Sequence, residues 1–422
     1  MNNATTFYYV RPTDSLFVRG NLAFGDSGEH GVGLMPPPPS LFAGAFRSAL
    51  LGQDAAHLNS FLGQGRCSDA ALAQCLGTPE LPGDFRITWL SLAGEPDQTK
   101  SGAAGLLPEP ILPLPADLLM LGKTFVSLQP RAVAAGVQSA GDLPLRATLV
   151  SAKQEKPKGG LYLSAKGLSQ HLSGQHPEPA HGVDSKHLYQ RDPRLGIGLN
   201  ADAHTAEEGQ IYTTEGFAFS PKDEQTAAKF ASTGFLVGLQ GVADLMPLEG
   251  ALRLGGDGRS AHYRRVAFNP ATQGFADARL RGGSAASTGI AASTTGGGQS
   301  LTRFRLILQT PALFAQGWLP EGITQQDDGS CRLQGAGFSA RLACAAMGRR
   351  DTVSGWDLFQ WAPKPAQAAV PAGSVYWFDV FDGDFGKLAA WVNQGLWPQN
   401  LTPLQHSRRA EGYNRALLGA WN

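Results

Sequence analysis

Two stretches carry residues whose types and spacing suit the binding of an anion. Leu254-Gly255-Gly256-Asp257-Gly258-Arg259 sets three glycines ahead of an arginine. Glycines let successive backbone N–H groups converge on a phosphate, and Arg259 adds charge. It is not a Walker loop, because no Gly-Lys-Ser/Thr follows. It is not a dinucleotide fingerprint, which needs G-x-G-x-x-G between a strand and a helix. A plain β-turn is the competing reading. The second stretch is 7–51, read as strand, loop, proline hinge and helix. Pro36 to Pro39 break the chain before a helix with Ser40 as its N-cap, and the helix stops near Gly52. A strand that delivers Arg19 beside that N-terminus would build an anion site, with Arg47 two turns further on.

A third candidate is the segment 146–194. It holds Arg146, Lys153, Lys156, Lys158, Lys166, Lys186, Arg191 and Arg194 against only Glu155, Glu178, Asp184 and Asp192. It reads as a basic insertion that projects from a compact domain as a hairpin or thumb. A solvated loop is the alternative. His171, His176, His181 and His187 lie in it, but Gly174, Pro177 and Pro179 break the helix that an i, i+4 metal pair would need. No metal site is expected from them.

Catalytic signatures are lacking. There is no Gly-x-Ser-x-Gly elbow and no His-Glu-x-x-His. Gly255-Gly256-Asp257 is followed by Gly258, so it is not a Gly-Gly-Asp-Asp polymerase signature. Asp379, Asp382 and Asp384 offer oxygen ligands of the kind Mg²⁺ takes, but Gly383 and Gly386 mark a turn after a strand. Neither a catalytic residue nor a cofactor is expected.

The elements that must hold these residues follow from pattern. Phe7 to Val10 and Phe85 to Leu92 are strands, the latter alternating. Leu41, Ala45, Ala49 and Phe42, Phe46, Leu50 recur at helical spacing. Asp54 to Leu76 is helix-compatible, with breaks at Gly63 and Gly65. Leu106 to Leu121 carries Pro108, Pro110, Pro113 and Pro115 and reads as an extended surface segment. Ile211 to Phe219 is a strand that closes a first α+β domain. Pro221 to Phe230 is a polar connector. Phe235 to Leu239 starts a second sheet, and Leu252 to Phe268 holds two short strands around the glycine turn. Gly282 to Gly298 is a flexible loop of Gly, Ala, Ser and Thr. Arg303 to Gln309 is a strand, Pro311 to Gln316 a helical turn, Phe338 to Met347 and Ser374 to Val380 strands, and Gly386 to Gln394 a short helix. The tail carries Trp391, Trp397, Tyr413 and Trp421 with Arg408, Arg409 and Arg415. Trp397 and Trp421 are expected to support a protein–protein contact.

At 422 residues, with 42% hydrophobic content, the chain has room for two or three domains. Its 53 glycines and 28 prolines imply many turns. The formal net charge is zero, so a nucleic-acid site would have to be a local patch. The first twenty residues hold Arg11, Asp14 and Arg19, which does not fit a signal peptide. No apolar run reaches membrane-span length. Cys67, Cys75, Cys331 and Cys344 lack C-x-x-C spacing, so neither zinc nor a disulfide framework is expected. A reducing cytoplasm is the expected compartment.

An opening pair of motifs and seven further groups of residues also carry a family resemblance. Arg11-Pro-x-Asp14-x-Leu-Phe17-x-Arg19-Gly20 with Pro37-Pro-Pro-Ser40-x-x-x-Gly44-Ala-x-Arg47 resembles the opening of the Cmr subunit three family, RAMP proteins of type III-B CRISPR effector complexes. Arg194-Leu-Gly196-Ile-Gly198, Glu208-Gly209-Gln-Ile-Tyr212, the 254–259 turn, Gly317-Trp318-Leu-Pro320, Gly355-Trp356-Asp357 and Pro371-Ala-Gly373-Ser374-Val-Tyr376 follow in the family's order. Glu411-Gly412-Tyr413 closes the chain, where the family more often has Gly-Phe.

The resemblance implies an α+β fold of two tandem ferredoxin-like (RRM-like) domains with long loop insertions, at 1–220 and 221–422. It implies a non-catalytic subunit that binds the 5′ handle of crRNA. Its implied partners are the large polymerase-like subunit, the neighbouring backbone RAMP subunit and, indirectly, target RNA. The implied RNA contacts are Arg19, Ser40, Arg47, Lys153, Lys156, Lys158, Arg194, Gly255, Gly256, Gly258, Arg259, Lys364 and Ser374. The alternative is a RAMP-type endoribonuclease that processes CRISPR repeat RNA, with His30 as its general base.

Overall fold

The structure is a computed structural model. It describes residues 4–18, 30–31, 33–97, 107–134, 136, 141, 143–151, 155–200, 202–203, 205–219, 230–270 and 303–421. Arg19, Lys153 and the glycine-rich loop 282–298 lie outside the described residues, as does the connector 221–229. Two compact units form, each from three stretches of chain. The first comprises Met1–Pro110, Ser185–Ala267 and Thr352–Ala366, and the second Ile111–Asp184, Phe268–Asp351 and Gln367–Asn422.

In the first unit, β1 (Thr6–Pro12) is the middle of five antiparallel strands. The others are β2 (Arg86–Glu95), β5 (Ser232–Gln240), β6 (Glu249–Arg253) and β7 (Ser260–Val266), in the order β2-β5-β1-β7-β6. The register is Tyr8↔Val237 on one side of β1 and Tyr8↔Arg265 on the other. The expectation that 235–239 opens a second sheet is therefore corrected. Five buried residues in a row, Phe235 to Leu239, mark a strand enclosed on both faces, and local pattern cannot say which strands flank it.

Helix α1 (Pro39–Leu51) buries Phe42 and Phe46 against this sheet. Phe42 lies 4.8 Å from Phe235 and Phe46 5.6 Å from Tyr8, centroid to centroid. Its N-cap is Pro38, without a side-chain cap, and not Ser40 as expected. Pro39 fills the first helical position, where the missing N–H costs nothing and φ is preset. Helix α2 (Ala55–Gln64) is capped by Asp54 and ends at Gly65, whose φ of +69° suits a left-handed C-cap. Helix α3 (Ala70–Leu76) is capped by Asp69. Strands β3 (Gln190–Leu199) and β4 (Ala206–Ala218) form a long hairpin.

The second unit is built on β8 (Phe304–Leu308), β9 (Cys331–Gly335), β10 (Phe338–Ala346), β11 (Val375–Gly383) and β12 (Ala416–Ala420). With the edge strand Ile323–Gln325 they form an antiparallel sheet in the order 323–325, β9, β10, β11, β8, β12. Its core gathers Phe304, Leu306, Phe338, Phe378, Leu388 and Leu418. Segment 311–316 forms isolated bridges and not the expected helical turn.

The rest of this unit overturns three surface expectations. Segment 106–121 is not extended surface: Glu109–Pro113 and Leu118–Leu121 are strands, and Ile111, Leu112, Leu118 and Met120 are buried. Its prolines end strands rather than exclude them. Segment 146–194 does not project into solvent. Strand Leu161–Ser164 pairs with Glu109–Pro113 and with Gly182–Asp184, and it leads into α4 (Ala165–Leu172), which packs on β12. Tyr162, Leu163, Leu168, Leu172 and Val183 are buried. Within the tail, β12 pairs along β8 and Trp397 is buried, against expectation, whereas Trp421 is half-buried, with the Arg303 guanidinium 5.2 Å from its ring centre. Helices α5 (Phe385–Gln394) and α6 (Pro403–Ala410) precede β12. Among the described residues no helix is long and apolar enough to cross a membrane.

Candidate functional site

In the first unit β1 runs into the segment 13–18, which is held by reciprocal backbone hydrogen bonds between Leu16 and Phe217, 2.8 and 2.9 Å long. Thr13 donates both its N–H and its hydroxyl to the Ser260 carbonyl, at 3.0 and 2.8 Å. These ties set Asp14, Ser15 and Phe17 against β3 on one side and against the turn between β6 and β7 on the other.

The glycine turn is a short 3₁₀ segment. Gly255 has φ +87°, and its neighbour Gly256 donates its N–H to the Phe17 carbonyl at 2.9 Å. A Cβ on Gly255 would stand 2.5 Å from that carbonyl oxygen, so both the conformation and the close approach require glycine. Gly258, at φ +62°, faces open space.

Arg194 and Arg259 meet there. The guanidinium of Arg259 pairs with Oδ2 of Asp14 and lies 4.7 Å from the Phe17 ring centre. Arg194 Nη2 reaches Oδ1 of Asp14 at 3.3 Å and Oγ of Ser15 at 3.1 Å. Its Nε donates to Oδ2 of Asp192 at 2.9 Å, and its guanidinium lies 5.6 Å from the Phe17 centre. The Ser15 hydroxyl donates to Asp192. Phe17 is thus flanked by two cations, an arrangement that favours planar, fixed guanidinium groups.

The backbone N–H of Ser15, and then the Arg259 and Arg194 charges, hold the Asp14 carboxyl below the usual range. The Ser15 hydroxyl, followed by Arg194, does the same for Asp192. Arg194 is raised in turn by Asp192. These three groups are therefore charged at neutral pH. Nε of Arg259 is buried and has no hydrogen-bond partner among the described residues. Chemically, the cluster can bind an anion through exposed guanidinium edges and the glycine turn.

Of the expected contacts, the structure brings together Arg194, Gly255, Gly256, Gly258 and Arg259. Ser40 lies in the first turn of α1, and Arg47 is half-buried, 5.1 Å over the Phe85 ring. Lys364 belongs to the first unit, in a separate hairpin; its N–H donates to the Gly355 carbonyl at 2.8 Å. Lys156, Lys158 and Ser374 are in the second unit. Lys158 pairs with Asp184 at 3.0 Å. Ser374 is buried and its hydroxyl donates to the Pro371 carbonyl at 2.8 Å, which makes it a turn residue.

Asp14, Ser15 and Asp192 were not among the expected site residues. A signal existed for Asp192, because on a strand it shares a face with Arg194, two residues on. The possible Mg²⁺ carboxylates are dispersed into other work. Asp379 pairs with Arg341 through two hydrogen bonds of 2.8 and 2.7 Å, and Asp384 caps α5. Among the described residues no group of three His, Cys, Asp or Glu could hold a metal.

The first unit is thus an α+β fold with a glycine turn flanked by two arginines. Residues 8–421 match the family described as CRISPR-associated protein (Cas_Cmr3), and the chain belongs to that family. No curated protein matches it. Among solved structures it is similar to a chain of a type III-B Cmr-beta complex bound to cognate target RNA. That match has 13% identity and a TM-score of 0.43, and it covers 88% of this chain and 86% of the other. A second such structure, with target RNA and AMPPnP, gives 14% identity, a TM-score of 0.44 and the same coverage.

Proposed function

We propose that this protein is a non-catalytic RNA-binding subunit of a type III-B CRISPR effector complex. In this reading it holds the 5′ handle of the crRNA and bridges the large polymerase-like subunit to the neighbouring backbone subunit in antiviral defence. Family membership supports the complex. The observation that carries the RNA site is the convergence of Arg194 and Arg259 on the 254–259 turn. Two guanidinium groups side by side suit an RNA phosphate, and Phe17 lies against both.

The fold is read as two ferredoxin-like halves. Taken in chain order, β1, β2, β5 and β7 stand in the sheet as 2-3-1-4, all antiparallel. Strands β8, β10, β11 and β12 stand in the same order. That is the arrangement a βαββαβ unit leaves in its sheet. On this reading the first half runs past residue 220, to β7, and the second begins at β8.

The test is binding of handle-bearing crRNA by the purified chain. Arg194→Ala and Arg259→Ala should each weaken it, and repeat RNA should remain uncut. Cleavage of repeat RNA that is lost on His30→Ala would replace this reading with the endoribonuclease.

A further inference from the structure

The hairpin Trp356–Asp357/Ala362–Pro363 in the first unit carries aromatic residues that the cluster at Arg259 does not use. Trp361 is 73% exposed, Trp356 53% and Phe359 37%. Large apolar side chains this exposed and this close together are unusual on a protein surface.

The hairpin is held in place. Lys364 donates its N–H to the Gly355 carbonyl at 2.8 Å, and the Ser354 hydroxyl donates to the Lys364 carbonyl at 2.7 Å. Asp357 accepts from the N–H groups of Phe359 and Gln360, both at 3.0 Å, so its carboxylate closes the turn. Phe359 anchors the tip on α2, 6.3 Å from the Phe61 ring centre, and a Cβ on Gly65 would touch it at 3.5 Å. The two tryptophan rings stand edge to face, 5.7 Å apart at 86°. Trp361 takes φ +49°, a left-handed conformation that large residues rarely adopt. The backbone thus accepts strain to hold an indole outward.

We propose that Trp356 and Trp361 form a stacking platform for the bases of single-stranded RNA. An indole face stacks on any base, and a preset ring loses little entropy on binding. The surrounding charge is complementary to a phosphate backbone. Arg66, exposed, follows Gly65 at the point of contact with Phe359, and Lys364 follows Pro363, the strand partner of Trp356. The acid on the hairpin, Asp357, is engaged in the turn. The inference rests on the RNA-binding reading above and adds a second contact, through bases and not phosphates.

The experiment titrates the full chain with fluorescently labelled single-stranded oligouridylate and oligoadenylate. Trp361→Leu should weaken binding about tenfold, whereas Trp361→Phe should stay near wild type, because phenylalanine still stacks. Trp356→Leu provides a second variant. Both positions are exposed, so cooperative melting at the wild-type temperature is expected and checks folding. Wild-type affinity in both leucine variants overturns the proposal. Wild-type affinity combined with lost co-purification of partner subunits also overturns it, and makes the hairpin a protein contact. If Arg259→Ala leaves binding unchanged while Trp361→Leu reduces it, the stacking platform stands and the phosphate cradle is at fault. No RNA binding by the wild-type chain overturns both.

Discussion

Nη2 of Arg194 lies 3.3 Å from Oδ1 of Asp14, across 180 residues of chain. The other oxygen of the same carboxylate pairs with Arg259. Asp14 therefore fixes two cations that the chain supplies from a strand and a turn, and its side chain is 56% exposed. Exposed ion pairs contribute little to stability, so the arrangement is better understood as positioning. Arg259→Ala should weaken handle-RNA binding by about 1–3 kcal/mol, the range for a charge-assisted contact. Asp14→Asn loosens both guanidinium groups and should weaken binding, by less than either arginine variant does. Fluorescence anisotropy at several salt concentrations checks both. Unchanged affinity in Arg259→Ala and Arg194→Ala, with folding intact, removes the cluster from the RNA site.

The two outer glycines of the turn should respond differently to alanine. At Gly255 the new Cβ meets the Phe17 carbonyl at 2.5 Å and φ is +87°, so the turn must move away from Phe17. At Gly258 only the left-handed φ of +62° is at stake, a cost of about 1–2 kcal/mol. Gly255→Ala should therefore lower both the thermal midpoint and RNA affinity more than Gly258→Ala does. Calorimetry and anisotropy on the same preparations measure the difference. Equal effects would mean that the contact with Phe17 does not shape the site.

What was legible in the sequence was local. The alternation of 85–92 matches β2, and the helical spacing of Phe42, Phe46 and Leu50 matches α1. The glycines within 254–259 marked the turn between β6 and β7. The candidate site was half visible, because Arg194 and Arg259 stood out by type while Asp14 lies 245 residues from Arg259. Distant pairing leaves no periodic trace, so the β1–β5 ladder could not be read from 235–239. Composition misled where polar and apolar residues alternate finely. Lysines and prolines around Leu163, Leu168 and Val183 dilute a core segment until it resembles solvent-exposed chain. Trp397, next to Pro398, looked external because proline suggests a loop, but the chain after it returns inward as β12.

The segment whose composition suggests a solvated insertion should thus be essential. Replacing 155–187 with a short Gly-Ser link removes Leu163, Leu168 and Val183 from the interior and should abolish cooperative unfolding. A milder probe is Leu168→Ala. The side chain is 1% exposed, so the loss should be about 2–5 kcal/mol, as for other buried leucines. Urea denaturation measures it. A change below about 1 kcal/mol would return the segment to the surface.

The final prediction concerns pH. Asp117, His171 and Arg305 form a fully enclosed cluster in the second unit. His171 Nε2–H donates to Oδ1 of Asp117 at 2.8 Å, and Arg305 pairs with Oδ2 and donates to the His171 carbonyl. Burial pushes the Asp117 carboxyl up, but the His171 and Arg305 charges outweigh it and hold the group at about 2. Burial pushes His171 down, against the pull of Asp117, so the ring is neutral at pH 7. Both folded-state values lie below the unfolded ones of 3.8 and 6.5, so the unfolded chain binds more protons in each window. Stability tied to His171 is complete above 6.5 and declines as pH falls below it. Stability tied to Asp117 is complete above 3.8 and is lost as pH falls towards 2. The thermal midpoint should therefore drop between about pH 7 and pH 5, before most carboxylates titrate. His171→Gln keeps a donor towards Asp117 but cannot titrate. It should flatten that part of the curve while lowering the midpoint at neutral pH by less than His171→Ala does. A wild-type midpoint that rises as pH falls across that window would mean that His171 carries its proton in the folded protein, and one that stays constant would mean that the fold does not shift the group.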